Sequence, residues 1–284
     1  MAAKHTKKSV AAPCRFSVGF VGGGNMATAL IKGFVSAGLY RAAQLCASDI
    51  DAAKRRVLQR RLGVAVTADN RSLVARTPVV LLAVKPQIVD EVLAQCRPAA
   101  TRRHLFISIL AGVPTRRLEA GLGPGARVVR AMPNTPALLA KGMTVVARGA
   151  NATAADERVA LRLFRAVGRA TAVRDEALMH AVTGLSGSGP AYVYRFAEAL
   201  IAGGVAAGLP PELAQQLALQ TIVGAAAMLV ETGESPQRLR EMVSSPGGTT
   251  LAGLGALDRH AFFDAVVGAV VAATRRGEEL GGGA

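Results

Sequence analysis

The 284 residues carry 34 Lys and Arg against 19 Asp and Glu, a formal charge of +15, and are 51% hydrophobic with 4% aromatic and no Trp. That length holds two ordinary domains with cores of their own, and apolar content carried by Ala, Val and Leu points to packed helices and buried parallel strands rather than an aromatic β-sandwich. The arginines are scattered, with Arg55, Arg56, Arg60 and Arg61 on one helix and Arg102 and Arg103 beside a strand; no run interleaved with aromatics occurs, so nucleic acid is not an expected partner.

Cys14, Cys46 and Cys96 are odd in number and lack pairing or metal spacing, and His5, His104, His180 and His260 are dispersed. Free thiols in the reducing cytoplasm are expected, and no metal. Residues 1–14 are basic without the apolar core of a signal peptide and read as a disordered tail. The most membrane-like segment, Leu213 to Val230, is interrupted by Gln215, Gln216 and Gln220, which favours a core or subunit-interface helix over a membrane span.

The apolar run Phe16 to Val21 meets a glycine turn and a helix from Asn25 through Ala37, placing Gly22, Gly24 and Ala27 at the G-x-G-x-x-G/A spacing within Val21, Gly22, Gly23, Gly24, Asn25 and Met26. The first glycine permits the turn, the second admits a pyrophosphate, and Ala27 lets helix pack on strand, so a dinucleotide site is expected. A strand Gln44 to Ala47 leads to Asp49. There an acid suits a free ribose 2′-hydroxyl, whereas Arg55 and Arg56 suit a 2′-phosphate; Asp49 as the cap of the next helix is a third reading. Strands at Val64–Val66, Val79–Val84, Leu105–Ile109, Ala126–Arg130 and Thr144–Ala147 alternate with helical stretches from Asn70, over Gln87–Gln95 and over Ala154–Val167, the pattern of a doubly wound parallel sheet. Ligands in such folds gather at the carboxyl ends of the strands. Val84, Lys85 and Pro86, then Ala111, then Asn134 occupy those loops. Lys85 suits either phosphate or solvent, and Asn134 suits either a nicotinamide amide or a turn.

From Asp175 the pattern turns helical, over Asp175–Val182, through Thr183–Tyr192 to Ala207, and again over Leu213–Thr232. Helices apolar nearly all round need covering all round, so domain boundaries at 15–174 and 175–284 are expected, with the second forming a homo-oligomeric interface. The stretch Met242 to Asp258 packs Ser244, Ser245, Thr249 and Thr250 around Pro246, Gly247 and Gly248 at a helix start. Such a start is an ordinary cap or a site for a small anion. It contains no acid before Asp258, no Cys and no His. Gly184-Leu185-Ser186-Gly187-Ser188 lacks the closing glycine of a hydrolase elbow. A nicotinamide-dependent reductase acting on an imine that is already protonated remains, since such a substrate needs no strong proton donor.

GFVGGGNMA, VKP, MPNTP, GLSGSGPAYV and VSSPGGTTLAGL, in that order from Phe16 to the C-terminus, resemble pyrroline-5-carboxylate reductase. The resemblance implies a Rossmann-type doubly wound α/β sheet followed by an all-α dimerisation domain, dimers that assemble into decamers, and reduction of 1-pyrroline-5-carboxylate to L-proline with NADPH, NADH being possible. By the same likeness Val21 to Met26 and Ala111 contact the cofactor, Val84 and Lys85 lie beside it, and Asn70 lies near the adenosine. Thr250 hydrogen-bonds the ring nitrogen, Ser245, Gly247, Gly248, Thr249 and Thr250 hold the carboxylate, and Glu176 lines the substrate site. Two residues depart from the family pattern: Asp49 stands where serine is frequent, and Met242 where some members have asparagine. Rival readings are a dinucleotide sensor without catalysis and a hydroxy-acid dehydrogenase. The latter needs a lysine that the helices from Asp175 to Thr232 do not contain.

Overall fold

A computed structural model describes residues 16–282, so the tail at 1–14, with Cys14 and His5, lies outside the described residues. The chain divides into two compact units, one comprising the residues up to Gly187 together with the segment from Arg275, the other Ser188–Thr274.

In the first unit β1 (Val18–Val21), β2 (Leu45–Ser48), β3 (Ala65–Thr67), β4 (Val79–Leu82), β5 (Leu105–Ser108), β6 (Arg127–Pro133), β7 (Gly142–Arg148) and β8 (Gly168–Val173) form one sheet in the order β3-β2-β1-β4-β5-β6-β7-β8. Helices α1 (Asn25–Ser36), α2 (Ala52–Leu62), α3 (Asn70–Ala75), α4 (Val89–Cys96), α5 (Thr115–Leu122), α6 (Ala154–Arg165) and α7 (Leu178–Val182) accompany it. Residues that alternate along the strands feed two cores. Phe20, Leu81 and Ile107 pack with Leu30 and Phe34 of α1 and Phe164 of α6, whereas Val21, Leu82 and Phe106 pack with Leu73 of α3, Leu93 of α4 and Leu118 of α5. Each such fully buried side chain contributes about 1.5–3 kcal/mol of transfer free energy.

The sheet corrects the all-parallel expectation. β1 to β6 are parallel, but β7 pairs with β6 antiparallel, and β8 runs parallel to β7. A parallel return needs a crossover of a dozen residues or more. Between β6 and β7 there is only a short 3-10 turn, Thr135–Leu139, closed by Ala140 in the left-handed region at φ 56°. β8 itself has no counterpart among the expected strands.

The second unit contains α8 (Gly189–Ala206), α9 (Pro211–Glu231), α10 (Pro236–Met242), α11 (Thr249–Arg259) and the greater part of α12 (Phe262–Leu280). Proline opens α9 and α10 at their first position, where its fixed φ suits the helix and no N–H is missed. The expected break around GLSGSG is a π-helical turn over Thr183–Gly187, immediately before α8. None of the residues of α8 is buried, and only Ala214 and Ala218 of α9 are. α9 is long and apolar enough to cross a membrane by length and composition.

Candidate active site

The β1–α1 junction has the form its glycines require. Gly22 sits at φ +101°, and a Cβ there would lie 2.6 Å from the Ala83 carbonyl oxygen, so only glycine fits the turn. Gly24 is the N-cap of α1 and has open space where its Cβ would project. No side chain caps α1 and its first turn holds no acid, which leaves its amides directed at a ligand carrying negative charge. Val21, Gly22, Gly23, Gly24, Asn25 and Met26 thus form a glycine turn that is open on the Gly24 side, and the residues present fit the pyrophosphate of a dinucleotide.

Neighbouring strand ends hold this loop in place. The Gly22 amide donates to the Ser48 carbonyl at 2.8 Å, and the Gly23 amide donates to Oδ2 of Asp49 at 2.8 Å. Asp49 does not cap α2: that role falls to Asp51, whose carboxylate accepts from the amides of Ala53 and Lys54. Asn70 is buried; its Oδ1 accepts from Ser48 Oγ at 2.6 Å and its Nδ2 donates to Gln95 Oε1 at 2.7 Å. Its carboxamide therefore braces the ends of β2 and α4. Ser48 and Gln95 were not anticipated, although a serine closing a wholly apolar strand signals a buried partner.

Val84, Lys85 and Pro86 follow β4, with Lys85 exposed, and Ala111 follows β5. The amide of Asn134 is already engaged: Nδ2 donates to the Ser186 carbonyl at 3.2 Å and Oδ1 accepts from the Met143 amide at 2.9 Å. Of its two readings, the turn former is the one these bonds describe, joining the end of β6, the start of β7 and the π turn.

Glu176 binds neighbours of its own. One carboxylate oxygen accepts from the Thr115 amide at 2.8 Å and from Arg130 Nη1 at 3.2 Å, while the other accepts from the Thr115 hydroxyl. Arg130, on β6, is 2% exposed; burial pulls its pKa down and the Glu176 pairing acts against that. The pair fixes the start of α5 and so the loop that carries Ala111. A second contact secures the same loop: Gly112 is at φ +75°, and its Cβ would lie 2.9 Å from Leu280 Cβ, while a Cβ on Gly281 would meet the Gly112 carbonyl at 2.8 Å. An arginine at an inward position of the apolar run ARVVRAM was the available signal for Arg130. Burial pushes the Cys46 and Cys96 thiols up to about 12, so neither is a thiolate nucleophile at neutral pH.

In the second unit, Ser244 Oγ donates to the Arg240 carbonyl at 2.7 Å and so ends α10. Gly247 at φ +68° turns the chain, and the Gly248 amide donates to the Ser245 carbonyl at 3.0 Å. α11 then begins at Thr249 with no side-chain cap. Ser245, Gly247, Gly248, Thr249 and Thr250 are contiguous around an open helix start, and Thr250 is partly exposed. Met242, the last residue of α10, is 60% exposed.

A glycine cradle on a doubly wound sheet, joined in sequence to helices with uncovered apolar faces, defines a nicotinamide-dependent oxidoreductase that self-associates. A family model described as pyrroline-5-carboxylate reductase dimerisation matches residues 176–280, and one described as NADP oxidoreductase, coenzyme F420-dependent, matches residues 17–112. The chain is 43% identical to pyrroline-5-carboxylate reductase of Methanosarcina acetivorans (93% of this chain, 97% of that one) and 45% identical to that of Synechocystis (93% and 98%). Among solved structures, the Coxiella burnetii pyrroline-5-carboxylate reductase superposes with a TM-score of 0.86 at 35% identity (94% and 98% coverage). The Plasmodium falciparum pyrroline carboxylate reductase with NADP bound superposes with a TM-score of 0.86 at 31% identity (95% and 100%). The chain belongs to the pyrroline-5-carboxylate reductase family.

Proposed function

We propose that this protein reduces 1-pyrroline-5-carboxylate to L-proline with NAD(P)H, and that Thr250 is its catalytic residue. Family membership supports the reaction, and the observation that carries the residue assignment is the uncapped start of α11. Amides at the positive end of a helix suit a carboxylate. Those of residues 249–251 hold the substrate carboxylate, with Ser245, Gly247 and Gly248 shaping the turn in front of them. The Thr250 hydroxyl hydrogen-bonds the ring nitrogen and orients the C=N bond. The bound nicotinamide supplies the hydride for the imine carbon. The imine arrives protonated, so the chain need supply no titrating acid, in keeping with a turn that offers hydroxyls and amides alone.

Val21–Met26 would hold the cofactor's pyrophosphate and Asp49 its adenosine ribose, with Asn70 bracing that end of the site and Val84, Lys85, Pro86 and Ala111 bordering it. Asn134 acts there through the turn it braces, and Glu176 acts by holding the Ala111 loop. The apolar faces of α8 and α9 support a dimer; assembly of dimers into a decamer and a cytoplasmic location complete the reading. Thr250→Ala lowers kcat by roughly 10- to 100-fold, the range for losing one polarising contact. Steady-state assay of a folded variant checks this, and full turnover would remove Thr250 from the mechanism.

A further inference from the structure

We infer that Asp49 is a specificity-determining residue that makes this chain prefer NADH to NADPH, and that it does so because the same carboxylate is fixed in place by the phosphate-binding loop. Asp49 directly follows β2, where a dinucleotide fold holds the adenosine ribose. Its Oδ2 accepts from the Gly23 amide at 2.8 Å and its Oδ1 from the Asp51 amide at 2.9 Å, and its side chain is 10% exposed. A carboxylate held at both oxygens cannot rotate away from an incoming ligand. It retains lone pairs that accept from a ribose 2′-hydroxyl, whereas a 2′-phosphate brings a second negative charge and, ionised, no donor.

The neighbouring cations do not reverse this. Arg55 Nη1 donates to the carbonyls of Asp49 at 2.7 Å and Ile50 at 2.9 Å, so its guanidinium folds back over the loop. Lys54 Nζ stands 3.9 Å from Asp49 Oδ2 with a half-exposed side chain, compensating the carboxylate already there. Arg56 is exposed. A charge on a flexible, solvated stem contributes less than one pinned at the site. Discrimination and phosphate binding are therefore coupled through one bond, from the Gly23 amide to Asp49.

The inference rests on the dinucleotide site but not on Thr250 or on the substrate, so it is tested by binding alone. Titration of the purified full-length protein with NADH and with NADPH, followed by nicotinamide fluorescence, is expected to give a Kd about tenfold or more lower for NADH. Asp49→Asn keeps an oxygen that accepts from Gly23 but removes the charge, and is expected to bring the ratio of the two Kd values toward one. Asp49→Ser is expected to carry the ratio further toward NADPH. Tighter NADPH binding by the native protein overturns the inference, as does an Asp49→Asn variant that weakens both cofactors equally, since that is the signature of a loop-holding role alone. Binding of neither cofactor overturns it together with the dinucleotide site itself, whereas binding of both without turnover of 1-pyrroline-5-carboxylate would fault the proposed reaction and leave this inference standing.

Discussion

Phe34 in α1 and Val223 in α9 are both apolar side chains on long helices, yet the first is fully buried within its own unit and the second is 60% exposed. In the first unit the sheet supplies two faces, and each helix turns one stripe inward. In the second, Leu217, Val223, Leu229 and Val230 all remain at the surface of a single copy. These residues point to different sides of α9, and a helix that is apolar all round needs covering all round. The helices of the first unit are covered by its own sheet, while α8 and α9 of the second leave apolar side chains for a partner surface, in keeping with the dimerisation family that matches residues 176–280.

The strongest way to break this contrast is to charge the uncovered face. Val223→Asp is expected to weaken self-association by about thirtyfold or more, because a carboxylate buried at an interface without a partner is costly. Sedimentation velocity at micromolar concentration reads the shift toward monomer; an unchanged assembly would place Val223 outside the contact. Next in size is an effect confined to the first unit. Glu176→Ala leaves the Arg130 guanidinium buried and uncompensated, and is expected to cost about 3 kcal/mol in denaturant unfolding. A loss under about 1 kcal/mol would mean that the guanidinium reaches solvent. The smallest effect sharpens the comparison from the other side. Arg195 and Glu198 form an exposed i,i+3 pair at 2.9 Å on α8, so Glu198→Gln is expected to change stability by about 0.5 kcal/mol or less.

How much was legible in the sequence follows the same division. β1, β4 and β5 are near-continuous apolar runs, and Gly22 and Gly24 occupy positions that only a tight turn and a close ligand require, so the sheet and its cradle could be read directly. β8 could not: Gly-Arg-Ala-Thr-Ala-Val places short side chains inward and Arg169 and Thr171 outward, too weak a pattern to separate from a loop. The reversal into β7 was hidden because its left-handed residue is Ala140 instead of glycine. Asp49 and Asp51 stand two positions apart, and spacing alone could not say which caps α2. The partners of Glu176 lie 61 and 46 residues away, beyond any local pattern. The turn at Ser245–Thr250 shows the opposite limit: its chemistry could be listed from the sequence, but helix cap and anion site call for the same residues.

The contact of Leu280 and Gly281 with Gly112 also bears on how the chain folds. The segment from Arg275 belongs to the first unit, yet residues 188–274 separate it from the rest of that unit. The loop bearing Ala111 therefore acquires one of its two restraints only after a long stretch of chain has closed on itself, a slow, non-local step. During synthesis the sheet can form and the Gly22 turn can set while the Ala111 loop is still held from one side only. Readiness for the cofactor then comes late, when the helical insert is in place and α12 has returned.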